Sequence, residues 1–115
     1  ERLKNNGIEV HARSAFLQGL LLLSPEKLPG YFADIISHHR NLYKTFSELG
    51  VSAVAGCLGF CFSQVGIDRV IVGVSSRAQF IEVINSVSNT NALHSQLTSF
   101  MLNNPSVIDP SKWRV

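Results

Sequence analysis

The sequence predicts an α/β fold in which parallel strands are joined by helical crossovers. Three observations carry this expectation. Val70, Ile71, Val72 and Val74 form a β-branched run of the kind that makes a strand buried on both faces. From Ile8 to Phe16 the residues alternate, with Ile8, Val10 and Ala12 on one face and Glu9, His11 and Arg13 on the other. Between these stretches lie two apolar helical patterns, enough chain to bring the second strand back parallel to the first.

Taken in order, Glu1 to Gly7 reads as a basic last helical turn with a glycine stop. A natural chain rarely starts there, so the expectation is a fragment of a longer protein. The polar face Glu9, His11 and Arg13 either meets water or lines the interior of a closed barrel. Ser14 ends the strand, and Phe16 opens a loop that runs through Pro25 and Pro29-Gly30. From Tyr31 to Leu49 the stripe Tyr31, Phe32, Ile35, Ile36, His39, Leu42, Tyr43, Phe46 and Leu49 marks an amphipathic helix, which Gly50 stops. Adjacent helical residues diverge, so His38 and His39 are not a shared metal site. His38 is expected to face solvent and His39 to sit at the boundary.

Ser52 is placed to cap a helix from Ala53 to Gln64 that is apolar nearly all round. Gly56 and Gly59 each cost this helix up to ~1 kcal/mol relative to alanine, which suggests that they admit a close-packed neighbour. Gly66 turns the chain into the second strand, where Gly73 marks a close approach of backbone or ligand. Ser76 and Gln79 form the S-x-x-Q of a capping box, opening a helix from Arg77 to Val87 with apolar positions at Phe80, Ile81, Ile84 and Val87. A strand leading through a short turn into a capped helix aims N–H groups and the positive dipole end at one spot, suited to phosphate or another anion. After the polar Asn89-Thr90-Asn91, a last helix is expected with Leu93, Leu97, Phe100 and Met101 on one face and His94 on the other. The tail, 106–115, reads as irregular and docked by Trp113.

The 115 residues suffice for one small domain. At 45% hydrophobic and 16% charged, the chain is greasier than a typical free-standing domain, so apolar surface is expected to meet a partner or the rest of a larger protein. The net charge of +2 comes from scattered lysines and arginines, which argues against nucleic acid as a partner. Cys57 and Cys61 lie one helical turn apart, a poor spacing for a disulfide, and no neighbouring ligands complete a metal site. Reduced thiols and the lack of a visible leader suggest a cytoplasmic protein. The longest apolar run, Leu20 to Leu23, is far too short to span a bilayer.

Three stretches, in order, resemble the aldo-keto reductase family, and the resemblance covers nearly the whole chain. Gly7-Ile8-Glu9-Val10-His11-Ala12-Arg13-Ser14 is similar to the family's G-I-x-V-x-A-Y-S strand. Leu49-Gly50-Val51-Ser52, its apolar helix and Ser63-Gln64 are similar to L-G-V-S-x-A followed by L-S-Q. Ile71 to Glu82 is similar to the last strand and cofactor turn, I-x-G-x-x-S-x-x-Q-L-x-E-N. The pattern is closest to the subgroup of potassium-channel β subunits and bacterial aryl-alcohol-dehydrogenase-like reductases.

The resemblance implies a C-terminal fragment of a (β/α)8 TIM barrel, strands seven and eight with their helices, helix-rich if isolated. Residues 1–115 form this segment, with 89–115 its C-terminal helix and tail. It implies NADP(H) as cofactor, with NAD(H) as the alternative, and a carbonyl substrate in the longer parent. Arg13 stands where the family usually has a tyrosine stacked on the nicotinamide. Ser14 and Phe16 match positions along the nicotinamide and pyrophosphate, with Leu17 adjacent. Gly73 lies in the matched strand. Ser75, Ser76 and Gln79 match the adenosine-phosphate end, and Glu82 the residue that holds the adenine amino group. The family's catalytic Tyr, Lys, Asp and His come from the first half of the barrel. Tyr31, Tyr43 and His11 match none of them, so this chain alone is expected to be inactive. A second class of reading is a non-catalytic helical oligomerisation or interaction module, since two strands leave open edges and uncovered apolar faces that favour pairing with another copy.

Overall fold

A computed structural model of the chain describes residues 1–88 and 97–115. Two short strands, β1 (His11–Arg13) and β2 (Arg69–Ile71), pair in parallel. Their register sets His11 beside Arg69, Ala12 beside Val70 and Arg13 beside Ile71. A terminal turn, α1 (Arg2–Asn5), precedes β1. The crossover contains α2 (Ile36–Glu48) and α3 (Ala53–Ser63). After β2 come α4 (Arg77–Val87) and a short α5 (Pro105–Ile108). The fold is therefore α/β and mostly helical, as the alternation and the helical patterns predict.

The strands are shorter than the sequence pattern. Val10 is still tied to the second strand, donating its N–H to Asp68 Oδ2 at 2.8 Å and accepting from the Asp68 N–H at 2.9 Å. Pairing stops at Ser14, whose φ of 64° turns the chain out of the ladder. The β-branched run is not buried on both faces: Ile71 is 53% exposed and Val74 42%. Helices α3 and α4 cover only one face, where Val70 and Val72 pack on Val54, Leu58 and Val83.

The long helix begins as a 3-10 segment, Gly30–Ile35, kinked at Phe32, and becomes α-helical at Ile36. Gly50, at φ 67°, ends it as expected. The chain bends by 89° between this helix and α3. The Ser52 hydroxyl caps α3, accepting the Ala55 N–H at 3.1 Å. Six successive residues, Val54 to Gly59, are buried. Such complete burial follows from packing on both sides: Leu42 and Phe46 on one, Val83 and the sheet on the other.

Both histidines on α2 sit deeper than expected. His39 is buried and donates from Nε2 to the Leu23 carbonyl at 2.6 Å, which fastens the loop to the helix. His38 is half-buried, with Nε2 donating to the Phe100 carbonyl at 2.9 Å. The polar loop and tail carbonyls, invisible to helical periodicity, give each ring a partner.

The tail is not irregular. Asn104 and Asp109 cap α5 and a 3-10 turn at Pro110–Lys112, accepting the Ser106 and Ser111 N–H groups. Trp113 docks it as expected: its ring meets Phe32 edge-on at 5.0 Å and its Nε1 donates to the Val107 carbonyl at 2.8 Å. Leu20, Phe32 and Val107 form the core of this end. Of the expected last helix, Leu93 and His94 lie outside the described residues, and the described part does not continue as a helix beyond Phe100: Met101 is extended and exposed, not on a buried apolar face. Leu97 is buried, and Thr98–Phe100 form a 3-10 turn.

Helix α4 turns a different face inward from the one expected. Val83 and Ser86 are buried, whereas Phe80, Ile81, Ile84 and Val87 are 53%, 45%, 55% and 42% exposed. The sequence marks an apolar stripe but not the neighbour that covers it. Among the described residues, no single helix is long and apolar enough to cross a membrane.

Candidate functional site

The parallel register puts the C-terminal ends of β1 and β2 side by side, so the turn after Arg13 faces the turn after Ile71. Between them lies a cleft of about 530 Å³. Its size is that of small-molecule sites, which run to about 300–1,000 Å³. From the first turn come Arg13, Ser14, Phe16, Gln18 and Gly19; from the second come Ile71 to Val74; Gln79, Glu82 and Val83 project from α4. Six of the nine residues singled out from the sequence thus share one cavity: Arg13, Ser14, Phe16, Gly73, Gln79 and Glu82.

The remaining three do not line it. Leu17 packs inward against the Leu20, Phe32 and Val107 cluster, because the chain turns over at its φ of 48°. Ser75 and Ser76 lie at the rim, engaged in the cap. Ser76 Oγ accepts the Gln79 N–H at 3.2 Å, and Gln79 Oε1 accepts the Ser75 N–H at 2.8 Å and hydroxyl at 3.0 Å. The capping box is real but shifted by one position, since the glutamine reaches back to Ser75 and not to Ser76. This leaves the first-turn N–H groups of Arg77 and Ala78 without intrahelical partners.

The first turn is held in an unusual conformation. Ser14, Leu17 and Gln18 have φ of 64°, 48° and 56°, followed by Gly19 at 84°. Non-glycine residues in the left-handed region are uncommon and cluster at ligand sites. Gln18 and Gly19 are cleft residues that the alternation and helix patterns do not reach; a polar residue before glycine is their one sequence signal. No backbone approaches Gly73 closely, contrary to the expectation: a Cβ there would meet nothing within 4 Å, and the residue faces open cleft. Arg13 makes no ion pair among the described residues and brings its positive charge to the cleft, which Glu82 also lines.

Tyr31 and Tyr43 serve packing. The Tyr31 hydroxyl lies 2.9 Å from the Ser106 carbonyl and 3.2 Å from that of Lys112, and the Tyr43 hydroxyl donates to the Leu21 carbonyl at 3.0 Å. His11 bonds to Glu9, which also accepts from Arg69 Nε at 2.8 Å, on the outward polar face of the strands. Among the described residues, no group of three or more His, Cys, Asp or Glu side chains is placed to hold a metal ion.

The chain defined by this fold and cleft is a helix-rich α/β protein with a ligand-sized site at the ends of two parallel strands. Comparison with protein-family models, with curated proteins and with solved structures gave no match.

Proposed function

We propose that this chain is the C-terminal, cofactor-binding portion of an NADP(H)-dependent aldo-keto reductase, strands seven and eight of a (β/α)8 barrel. The observation that carries the reading is the convergence of Arg13, Ser14, Phe16, Gly73, Gln79 and Glu82, from three separate stretches, on one cleft at the C-terminal strand ends. Ligands of α/β barrels bind at that end. The residues present suit a dinucleotide: Phe16 and Arg13 offer flat surfaces for a ring, the open backbone at Gly73 admits close approach, and the start of α4 offers N–H groups to phosphate. NADP(H) supplies hydride chemistry when bound. The residues of this chain bind and orient it, and the acid that protonates a carbonyl oxygen belongs to the rest of the parent. NAD(H) is the alternative cofactor.

The test is a fluorescence titration with NADPH, repeated on Arg13→Glu. Saturable binding, weakened at least tenfold by the reversed charge, supports the reading. No binding at millimolar cofactor means that the cleft does not act as a dinucleotide site in this chain.

A second reading, a non-catalytic module that pairs with another copy, is favoured by the exposed apolar residues of α4 and by the open edges of a two-stranded sheet.

A further inference from the structure

Away from the cleft, on the far side of α3, a cavity of about 170 Å³ is bordered by Cys57, Cys61 and Met101. The chain has two cysteines and one methionine, so every sulfur-bearing residue it contains lines this one cavity. The other walls are apolar, chiefly Leu42, Phe46, Phe60 and Phe100. Both cysteines are free.

The spacing of the thiols excludes one chemistry and suits another. Positions i and i+4 of a helix hold their Cβ atoms about 5–6 Å apart on one face. A disulfide needs about 3.5–4.5 Å, so the two sulfurs do not bond to each other without distorting α3. A single atom bonded to both adds two bonds to the span and so reaches across a separation of that size. Met101 approaches from a separate segment and supplies a third soft donor. Two thiols and a thioether, with no imidazole or carboxylate among them, select a soft monovalent cation over Zn²⁺ or Mg²⁺.

We propose that Cys57, Cys61 and Met101 form a three-sulfur binding site for Cu(I). Binding forms Cu–S bonds at Cys61, the more accessible thiol, and at Cys57, and each thiol releases its proton to solvent because the thiolate is the ligand. Met101 completes the coordination through a sulfur lone pair. Copper stays in the +1 state throughout, and one positive charge enters as two protons leave. The site then carries one net negative charge, at a cavity whose Met101 wall is exposed to solvent.

The experiment is anaerobic competition between the reduced protein and bathocuproine disulfonate for Cu(I), read from the colour of the chelate. The expected result is one Cu(I) withdrawn per chain, with affinity rising about a hundredfold per pH unit as the two released protons require. Met101→Leu, at an exposed position where folding is not at stake, is expected to weaken binding roughly tenfold, and Cys61→Ser by at least a hundredfold. Retention of all copper by the chelator at a large excess of protein overturns the site. So does binding that Cys61→Ser leaves unchanged, and affinity indifferent to Met101→Leu removes the thioether from it.

Discussion

Gly56 and Phe46 are in direct contact across the α2–α3 crossing: a Cβ built on the glycine would lie 2.3 Å from Phe46 Cε1 and 2.6 Å from Cδ1. Phe46 is 3% exposed and sits in the core with Leu42, Cys57 and Leu97, so its ring can give way only by turning into the cavity it borders, at the cost of its present packing. Alanine at this position gains up to ~1 kcal/mol of helix propensity. Overpacking a close-packed core costs about 1–3 kcal/mol. Gly56→Ala is therefore expected to destabilise the fold, seen as a lower urea midpoint. A raised midpoint would mean that the ring does not lie against this glycine.

The two side-chain caps offer a matched pair. Ser52→Ala removes the acceptor for Ala55 N–H at the start of α3, and Ser76→Ala that for Gln79 N–H at the start of α4. Each is expected to cost about 1 kcal/mol. Ser76→Ala should do so without exposing core, and the amides of α4 should exchange hydrogen faster than those of α3. Equal exchange in both helices would contradict a separate cap on α4.

Acid should loosen the strand pair. Hydrogen bonds from His11 and then Arg69 hold the Glu9 carboxyl below its ordinary range, and the Val10 N–H and then Lys4 do the same for Asp68. A carboxyl whose folded value is depressed adds stability above its unfolded value, about 4, and loses it as pH falls through the folded one. Both groups are exposed, so the effect is small. Urea midpoints should fall between pH 5 and pH 3, and the Glu9→Gln, Asp68→Asn double variant should flatten that slope. An unchanged slope would place the acid sensitivity elsewhere.

The thiols should be quiet in the absence of metal. Burial, reinforced by Cys61, pushes Cys57 up to about 12, and burial raises Cys61 as well. At pH 8 about one part in ten thousand of Cys57 is thiolate, the reactive form. A disulfide reagent should therefore label Cys61 slowly and Cys57 hardly at all, with both reacting at once in denaturant. Fast labelling of Cys57 in the folded protein would show that α3 opens readily.

Self-association should follow the apolar face of α4. If a second copy covers Phe80 and Ile84, the protein sediments as a dimer or larger, and Phe80→Glu with Ile84→Lys sediments as a monomer with α4 intact. A monomeric parent at high concentration removes this reading.

Much of the fold was legible because it rests on short-range rules. The cap at Ser52 and the stop at Gly50 are local and recur in the structure, the stripe on 31–49 recurs as an α-helix from Ile36 onward, and Ser76 caps α4 with Gln79 reaching back to Ser75. The candidate site was partly legible, since Arg13, Gly73, Gln79 and Glu82 lie at strand and helix ends that local patterns locate. Leu17 lies outside the cleft because its direction depends on the left-handed turn at 17–19, which no periodicity encodes.

The sequence by itself determined two β-stretches, the helices between them, the helix at 77–87 and the caps at Ser52 and Ser76, all set by backbone propensity and side chains a few residues apart. Only the tertiary structure decided which faces meet. It buried Val83 and Ser86 while leaving Phe80 and Ile84 outside, gave His38 and His39 carbonyl partners 62 and 16 residues away, and gathered the three sulfur-bearing residues around one cavity. Those outcomes depend on contacts between segments far apart in the chain. They are settled by how much apolar surface each packing removes from water, which no single stretch specifies.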